Sequence, residues 1–231
     1  MSIPNSPNPK IKDIYFENTN GRKLVNPNRS NLAKREIETL FTLQEIVSGD
    51  FIKEGNTVID LGCGDQHLKN PFNELGMNYF GYDIDTVNLE TDSIPHEDES
   101  TDFIISLAVI EHIKDPHNLI TESLRCLKPG AWLLLSTPNF EYSYRNFFDD
   151  YTHVKAYTPK SLSCLIRDYG FQEVFDFPNL RCKTKFSYTN RFKYALANAR
   201  PFNANPLLSN FIPGFLKGKS MGMFVLGRKK Q

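Results

Sequence analysis

The sequence contains few cysteines, no long apolar run and no acidic residue after Asp176. Its four cysteines are scattered and lack the spacing of metal ligands, which indicates reduced thiols rather than a disulfide framework. No apolar stretch approaches the ~20 residues that a membrane-spanning helix needs. The polar, proline-rich start MSIPNSPNPKIKD does not resemble a signal peptide. Together these absences predict a cytoplasmic protein.

Charge is distributed unevenly along the chain. The 27 basic and 27 acidic residues cancel to a net charge of zero, but from Arg181 onward there are 11 Lys/Arg and no Asp or Glu. The preceding part therefore carries 16 − 27 = −11, and the tail carries +11. Such a split predicts either an anionic partner for the tail or a tail that packs on the acidic body.

The pattern of apolar residues is typical of the α/β class. Strands are predicted at 56–61, 79–83, 87–91, 103–109, 131–138, 171–177 and 221–230, and helices at about 30–47, 116–127 and 158–170. Ser30, Asp115 and Thr158 are the predicted helix N-caps. Because strands mostly alternate with helices, we expect a parallel, doubly wound sheet whose ligand lies at the carboxyl ends of the strands. The short link between the second and third strands leaves no room for a crossover helix.

The stretch VIDLGCGD (58–65) ends the first strand in two closely spaced glycines, Gly62 and Gly64. A phosphate-binding P-loop would need Gly-Lys-Ser/Thr, which is absent, and a dinucleotide fingerprint would need a glycine where this chain has His67. Asp60 and Asp65 flank the loop, and two carboxylates would oppose a pyrophosphate. They favour a ligand with positive charge and no phosphate, such as S-adenosylmethionine.

Further carboxylates follow the next two predicted strands. Asp83 ends the second strand about 20 residues after the glycines, where a carboxylate accepts hydrogen bonds from ribose hydroxyls. Asp92 ends the third, where an adenine amino group could donate to it. Their joint placement at successive strand ends supports a nucleoside ligand.

The motifs VIDLGCGD, FGYDID, TDSIPHEDESTDFIISLAVIEHIKDP and CLKPGAWLLLSTPN resemble those of class I S-adenosylmethionine-dependent methyltransferases, densely over 56–140. The resemblance implies a Rossmann-like, seven-stranded sheet, mostly parallel with an antiparallel last strand. It implies one domain over 1–231: an arm and cap helix (1–54), a cofactor-binding core (55–178), a basic lid or acceptor insertion (179–220) and a last strand (221–231). The implied cofactor-binding residues are Asp60, Gly62, Cys63 and Gly64 toward the methionine part, Asp83 toward the ribose, Asp92 and Ser93 toward adenine, and Leu107 and Ala108 toward the sulfonium, together with Ile84.

Methyl transfer to an alcohol usually needs a general base, and histidine suits this role near neutral pH. Glu111 and His112 directly follow the fourth predicted strand, and His153 lies on the segment that is expected to cover the acceptor pocket. We predict that these three residues form the catalytic set. The other histidines are expected to be structural or exposed.

VIEHI, STPNFEYS and THVKAYT also resemble parts of the small-RNA 3′-terminal 2′-O-methyltransferases, a family that binds a divalent cation with two Glu and two His. Glu111, His112 and His153 match that set, but Ala108 stands where the remaining Glu would be. The sequence therefore favours a base without metal, and a magnesium or manganese site stays the alternative.

The segment 181–220 mixes basic and aromatic residues, which can stack nucleobases, grip sugars or contact an anionic membrane surface. The end of the chain loosely resembles bacterial methyltransferases associated with surface-polysaccharide synthesis. We predict S-adenosylmethionine as cofactor and O-methylation of a small-molecule or glycan acceptor, with an anionic nucleotide- or lipid-linked sugar favoured. The alternatives are RNA ribose 2′-O-methylation and a non-catalytic cofactor-binding scaffold.

Overall fold

A computed structural model of the protein describes residues 29–180 and 219–231. The longer elements in chain order are α1 (Arg29–Ile46), β1 (Thr57–Leu61), α2 (Lys69–Glu74), β2 (Asn78–Tyr82), β3 (Thr101–Leu107), α3 (His117–Cys126), β4 (Leu127–Pro138), α4 (Phe140–Ser143), α5 (Pro159–Asp168), β5 (Gln172–Leu180) and β6 (Lys219–Arg228). Two short 3₁₀ turns, Ile110–His112 and Phe147–Asp149, follow β3 and α4.

The strands form one sheet in the order β2-β1-β3-β4-β6-β5. The first four pair in parallel, and β6 runs antiparallel to both of its neighbours, β4 and β5. The carboxyl ends of β1, β2, β3 and β4 therefore meet at one edge of the sheet, which is where such folds bind their ligands.

The sheet is buried on both faces, because alternate strand residues point to opposite sides. Ile59 and Leu61 belong to a core layer that includes Leu119 and Ile120 of α3. Val58 lies in the opposite layer, which includes residues of α1. Helices on both faces explain why the strands are continuous apolar runs rather than alternating ones.

The predicted third strand, 87–91, is wrong. Val87 and Leu89 are buried, which gave the alternating pattern, but the backbone there forms a tight turn. The amides of Thr91 and Asp92 donate to the carbonyl of Asn88, and the Asn88 amide donates to the Asp92 carboxylate. With its hydrogen bonds used locally, this segment adds no strand, and the described sheet has six strands rather than seven.

The remaining expectations differ mainly at boundaries. Helix α3 has Pro116 at its N-cap position, although Asp115 still accepts a bond from the His117 amide. Thr158 caps α5 as expected, in a reciprocal capping box with Ser161. Most of the predicted arm and nearly all of the insertion 179–220 lie outside the described residues. No helix within 29–180 or 219–231 has the length and hydropathy of a membrane span.

Candidate cofactor and acceptor site

The glycine loop after β1 contains backbone conformations that residues with a Cβ atom rarely adopt. Gly62 and Gly64 have φ values of +76° and +53°. The Gly62 amide donates to the Tyr82 carbonyl at 2.7 Å, which ties the loop to the end of β2. A Cβ atom at Gly62 would lie 2.2 Å from Cγ2 of Val109, so the loop also touches the segment after β3. The glycine loop is thus fixed against both neighbouring strand ends.

Asp83 anchors this loop from the end of β2. Its Oδ2 accepts a bond from the Gly64 amide at 2.7 Å, and its Oδ1 accepts one from the Ile84 amide at 2.7 Å. Ile84 itself is 43% exposed, an apolar side chain open to solvent beside the carboxylate. The structure therefore brings Asp83, Ile84 and Gly64 together, as the cofactor prediction requires.

Asp60 lies beneath the loop, almost fully buried. Its Oδ2 accepts a bond from the Tyr79 hydroxyl at 2.8 Å. Burial raises the pKa of Asp60 to about 6 and that of the neighbouring Cys63 thiol to about 12. A cationic ligand would stabilise the ionised form of Asp60, whereas Cys63 is held as a neutral thiol.

Asp92 and Ser93 are exposed in the turn that replaces the predicted third strand. The Asp92 carboxylate accepts from the Asn88 amide and from the Thr91 hydroxyl, each at 2.9 Å. The Asn88 bond lowers the pKa of Asp92. The Asp92 carbonyl oxygen accepts from the Asn118 side chain. Asp92 shapes its own turn, and its contact with adenine stays a prediction.

The residues after β3 adopt a strained backbone. Ala108 is exposed and has a φ of +55°, a left-handed value that residues with a Cβ rarely adopt. Its amide donates to the Ser136 carbonyl at 2.9 Å, beside Leu107. Backbone strain of this kind occurs at functional sites more often than elsewhere. Here it lies at the carboxyl edge where the sulfonium is predicted.

The three predicted catalytic residues come together. One ligand-type atom from each of Glu111, His112 and His153 lies within 4.8 Å of the other two. Glu111 and His112 belong to the 3₁₀ turn after β3. The amides of Val154 and Lys155 donate to the Glu111 carbonyl, at 2.8 and 3.1 Å, and this holds the His153 segment against that turn.

Hydrogen bonds fix the orientation of both imidazole rings. Nδ1 of His153 lies 2.6 Å from the Phe147 carbonyl oxygen, which can only accept. Nδ1 of His112 lies 2.9 Å from the Thr152 hydroxyl, which donates its own proton to Asp150. Both Nδ1 atoms must therefore carry the hydrogen, and in the neutral rings the lone pair is on Nε2.

Glu111 has an ionisable side chain that is buried in the protein. It is 1% exposed, and its Oε2 atom has no hydrogen-bond partner within residues 29–180 and 219–231. Burial raises the pKa of Glu111 to about 7, and burial also lowers the pKa of His112. An unpaired polar atom in a buried carboxyl group is costly, which indicates a site organised for a ligand rather than for stability.

Several residues that position the site were not predicted from the sequence. Tyr79 binds Asp60, and Thr152 orients His112. Glu36 of α1 binds Nε2 of His67 at 2.6 Å, which links that helix to the turn after the glycine loop. Glu36 and His67 are 31 positions apart, and His112 and Thr152 are 40 positions apart. No short-range spacing in the sequence therefore reveals these two contacts.

Comparisons with known proteins identify the family. A family model described as a methyltransferase domain matches residues 27–174. Ubiquinone biosynthesis O-methyltransferases are similar at low identity: the protein of Maricaulis maris is 28% identical over 114 residues, 40% of this chain and 44% of that protein. The protein of Hydrogenovibrio crunogenus is 27% identical over 160 residues, 52% and 66% of the two chains. The matches thus span about half the length of these curated relatives.

Solved structures show the same fold. An S-adenosylmethionine-dependent methyltransferase from Archaeoglobus fulgidus superposes with a TM-score of 0.53 at 19% identity, over 84% of this chain and 94% of that chain. A phosphoethanolamine N-methyltransferase from Haemonchus contortus, in complex with S-adenosyl-L-methionine, gives a TM-score of 0.52 at 18% identity, over 84% and 52%. At these identities the likeness concerns the fold.

Proposed function

Since the chain belongs to the methyltransferase-domain family and uses S-adenosylmethionine, we propose that it transfers the methyl group to a hydroxyl oxygen of a sugar. The observation that carries this proposal is the convergence of Glu111, His112 and His153 within 4.8 Å of one another. The proximity of Val109 to Gly62 of the glycine loop supports a position of this cluster beside the predicted cofactor site.

An oxygen acceptor explains why such a cluster is needed. The sulfonium is already a good leaving group, so alignment of donor and acceptor supplies most of the rate. A sugar hydroxyl, however, keeps its proton at neutral pH, and the site must remove that proton or acidify the hydroxyl. The similar proteins of Maricaulis maris and Hydrogenovibrio crunogenus are named as O-methyltransferases, which supports an oxygen acceptor here.

An aromatic surface borders the cluster and favours a sugar. The ring centroids of His153 and Phe147 are 4.5 Å apart, and those of Phe147 and Phe148 are 5.0 Å apart. Phe148 is 61% exposed, and Tyr144 and Tyr151 on the same segment are 54% and 64% exposed. Exposed aromatic faces offer apolar area, and tyrosine adds a polar tip, which suits the mixed surface of a sugar ring.

Acidic residues on the same segment argue against RNA at this surface. Asp149 is exposed and the Asp150 side chain is 39% exposed. Their carboxylates would repel the phosphates of an RNA strand but accept hydrogen bonds from sugar hydroxyls. A phosphate on a nucleotide- or lipid-linked sugar would instead be bound by the basic segment 181–220.

The test is transfer of radiolabelled methyl groups to glycans, nucleotide sugars and RNA. We expect label in a sugar acceptor, and we expect His112→Ala or His153→Ala to slow transfer by ~10²–10⁴-fold while S-adenosylhomocysteine still binds. His117→Ala is the matched control, because His117 pairs with Tyr169 away from the cluster. Labelled RNA, with binding that weakens steeply as salt rises, would refute the sugar proposal.

A further inference from the structure

We propose that Glu111, His112 and His153 bind one divalent metal ion of the Mn²⁺-to-Zn²⁺ series, and that the acceptor hydroxyl occupies an open position on this ion. The ion site stands on the geometry of the three side chains. Only the identity of the incoming hydroxyl rests on the proposed function. The sequence alone favoured a base without metal, and the orientation of the side chains supports the other alternative.

The separation of the three residues suits a common ion. Their ligand-type atoms lie within 4.8 Å of one another. Metal bonds from imidazole nitrogen and carboxylate oxygen are ~2.0–2.2 Å long, so ligands at tetrahedral angles around one ion are ~3.4 Å apart. Side-chain rotations that move these atoms by about 1 Å would therefore bring all three into bonding distance.

The histidines are held as metal-binding histidines usually are. Such residues donate the hydrogen of one ring nitrogen to a carbonyl or carboxylate and bind the metal through the other. His153 does this through the Phe147 carbonyl, and His112 through the hydroxyl and carbonyl of Thr152. The lone pair of each ring is then on Nε2, the atom that a cation requires.

Glu111 supplies the third ligand and the negative charge. Its side chain is almost completely buried, and its Oε2 atom has no partner among the described residues. A cation would bind this atom and offset the cost of burying the carboxylate. The feature that is hardest to explain by folding stability is thus explained by an ion.

The donor set determines which ion fits. Two imidazoles and one carboxylate suit the first-row divalent metals, whereas Mg²⁺ and Ca²⁺ prefer all-oxygen sites. Ala108, at the end of β3, offers no fourth side-chain ligand. A site with three protein ligands keeps at least one position open, as catalytic zinc sites do.

An open position gives the ion a chemical role. A hydroxyl bound to a divalent cation loses its proton more readily, and that proton passes to water because both Nε2 atoms hold the metal. The oxygen then forms a bond to the methyl carbon while the carbon–sulfur bond breaks. Its electron pair stays on sulfur, which becomes the neutral thioether of S-adenosylhomocysteine.

Direct binding tests the site without any acceptor. The full-length protein is stripped with chelator and titrated with Zn²⁺ by calorimetry and with Co²⁺ by visible absorption, and Mg²⁺ is titrated for comparison. We expect one Zn²⁺ or Co²⁺ per chain and much weaker Mg²⁺ binding. Glu111→Gln and His153→Gln should each weaken binding by more than ~100-fold, since loss of a supporting residue alone costs 10–100-fold. The controls Glu141→Gln and His117→Ala should bind like the parent protein, because both side chains are exposed outside the cluster.

The outcomes separate this inference from the proposed function. Absence of Zn²⁺ and Co²⁺ binding, or equal binding by the cluster variants and the controls, would overturn the metal site. Full methyl transfer by the stripped protein would also overturn its role while leaving the sugar acceptor intact. If the ion binds at the cluster but no sugar is methylated with or without it, the metal site stands and the proposed acceptor fails.

Discussion

Replacement of Asp83 by alanine should weaken binding of S-adenosylhomocysteine by ~1–3 kcal/mol, or ~5- to 150-fold. The carboxylate accepts from the Gly64 and Ile84 amides, both at 2.7 Å. Alanine removes both bonds and the predicted acceptor for the ribose hydroxyls. Because the site is partly open, water replaces some of these partners, which limits the loss to this range.

Calorimetric titration with S-adenosylhomocysteine measures the effect. Asp83→Asn should fall between the parent and the alanine variant, because its single amide oxygen can serve only one of the two backbone donors. Asp168→Ala is the matched control, since Asp168 is exposed at the end of α5, away from the loop. Unchanged affinity in an Asp83→Ala variant that melts at the parent temperature would remove Asp83 from the cofactor site.

Three further predictions concern the same loop. Because burial raises the pKa of Asp60 to about 6, its charge is present above that pH and lost below it. Calorimetry should show the cofactor affinity falling by up to ~10-fold per pH unit below pH 6. Asp60→Asn should remove this pH dependence. Gly62→Ala should destabilise the protein by ~1–3 kcal/mol in thermal unfolding and abolish cofactor binding, because its Cβ would meet Val109 at 2.2 Å; a stable variant that still binds would contradict this. S-adenosylmethionine should bind more tightly than NAD in the same titration, since Asp60 and Asp65 disfavour a pyrophosphate, and preferential NAD binding would refute the cofactor assignment.

The parts of the fold that local patterns encode were predictable. Apolar runs such as VIDL and IISL are typical of buried strands, and Thr158 followed by a proline was a strong helix start. The segment at Val87 and Leu89 misled the prediction because alternating burial can occur in a turn as well as in a strand. Only the hydrogen bonds to Asn88 distinguish the two, and these are not visible in the pattern.

The candidate site was predictable in composition but not in arrangement. The motif positions of Glu111 and His112 followed from the end of β3, whereas the approach of His153 depends on bonds from Val154 and Lys155 to the Glu111 carbonyl. These are backbone hydrogen bonds, so the residue types in the sequence do not indicate them. That Glu111 Oε2 has no partner in the described part of the chain also emerges only in three dimensions, because burial and pairing are properties of the packed chain.

The position of β6 in the sheet has a consequence for biosynthesis. β6 lies between β4 and β5, although it follows both in the chain. Gln172 of β5 pairs with Arg228, a contact between residues 228 − 172 = 56 positions apart, and such distant pairings carry a larger loop-closure cost and slow folding. On the ribosome, β1 to β4 emerge first, and the edge of β4 that includes Leu133 stays unpaired until β6 is made. That interval is when the nascent protein is most exposed to edge-to-edge aggregation, so its yield in cells should depend on chaperones and on the rate of synthesis.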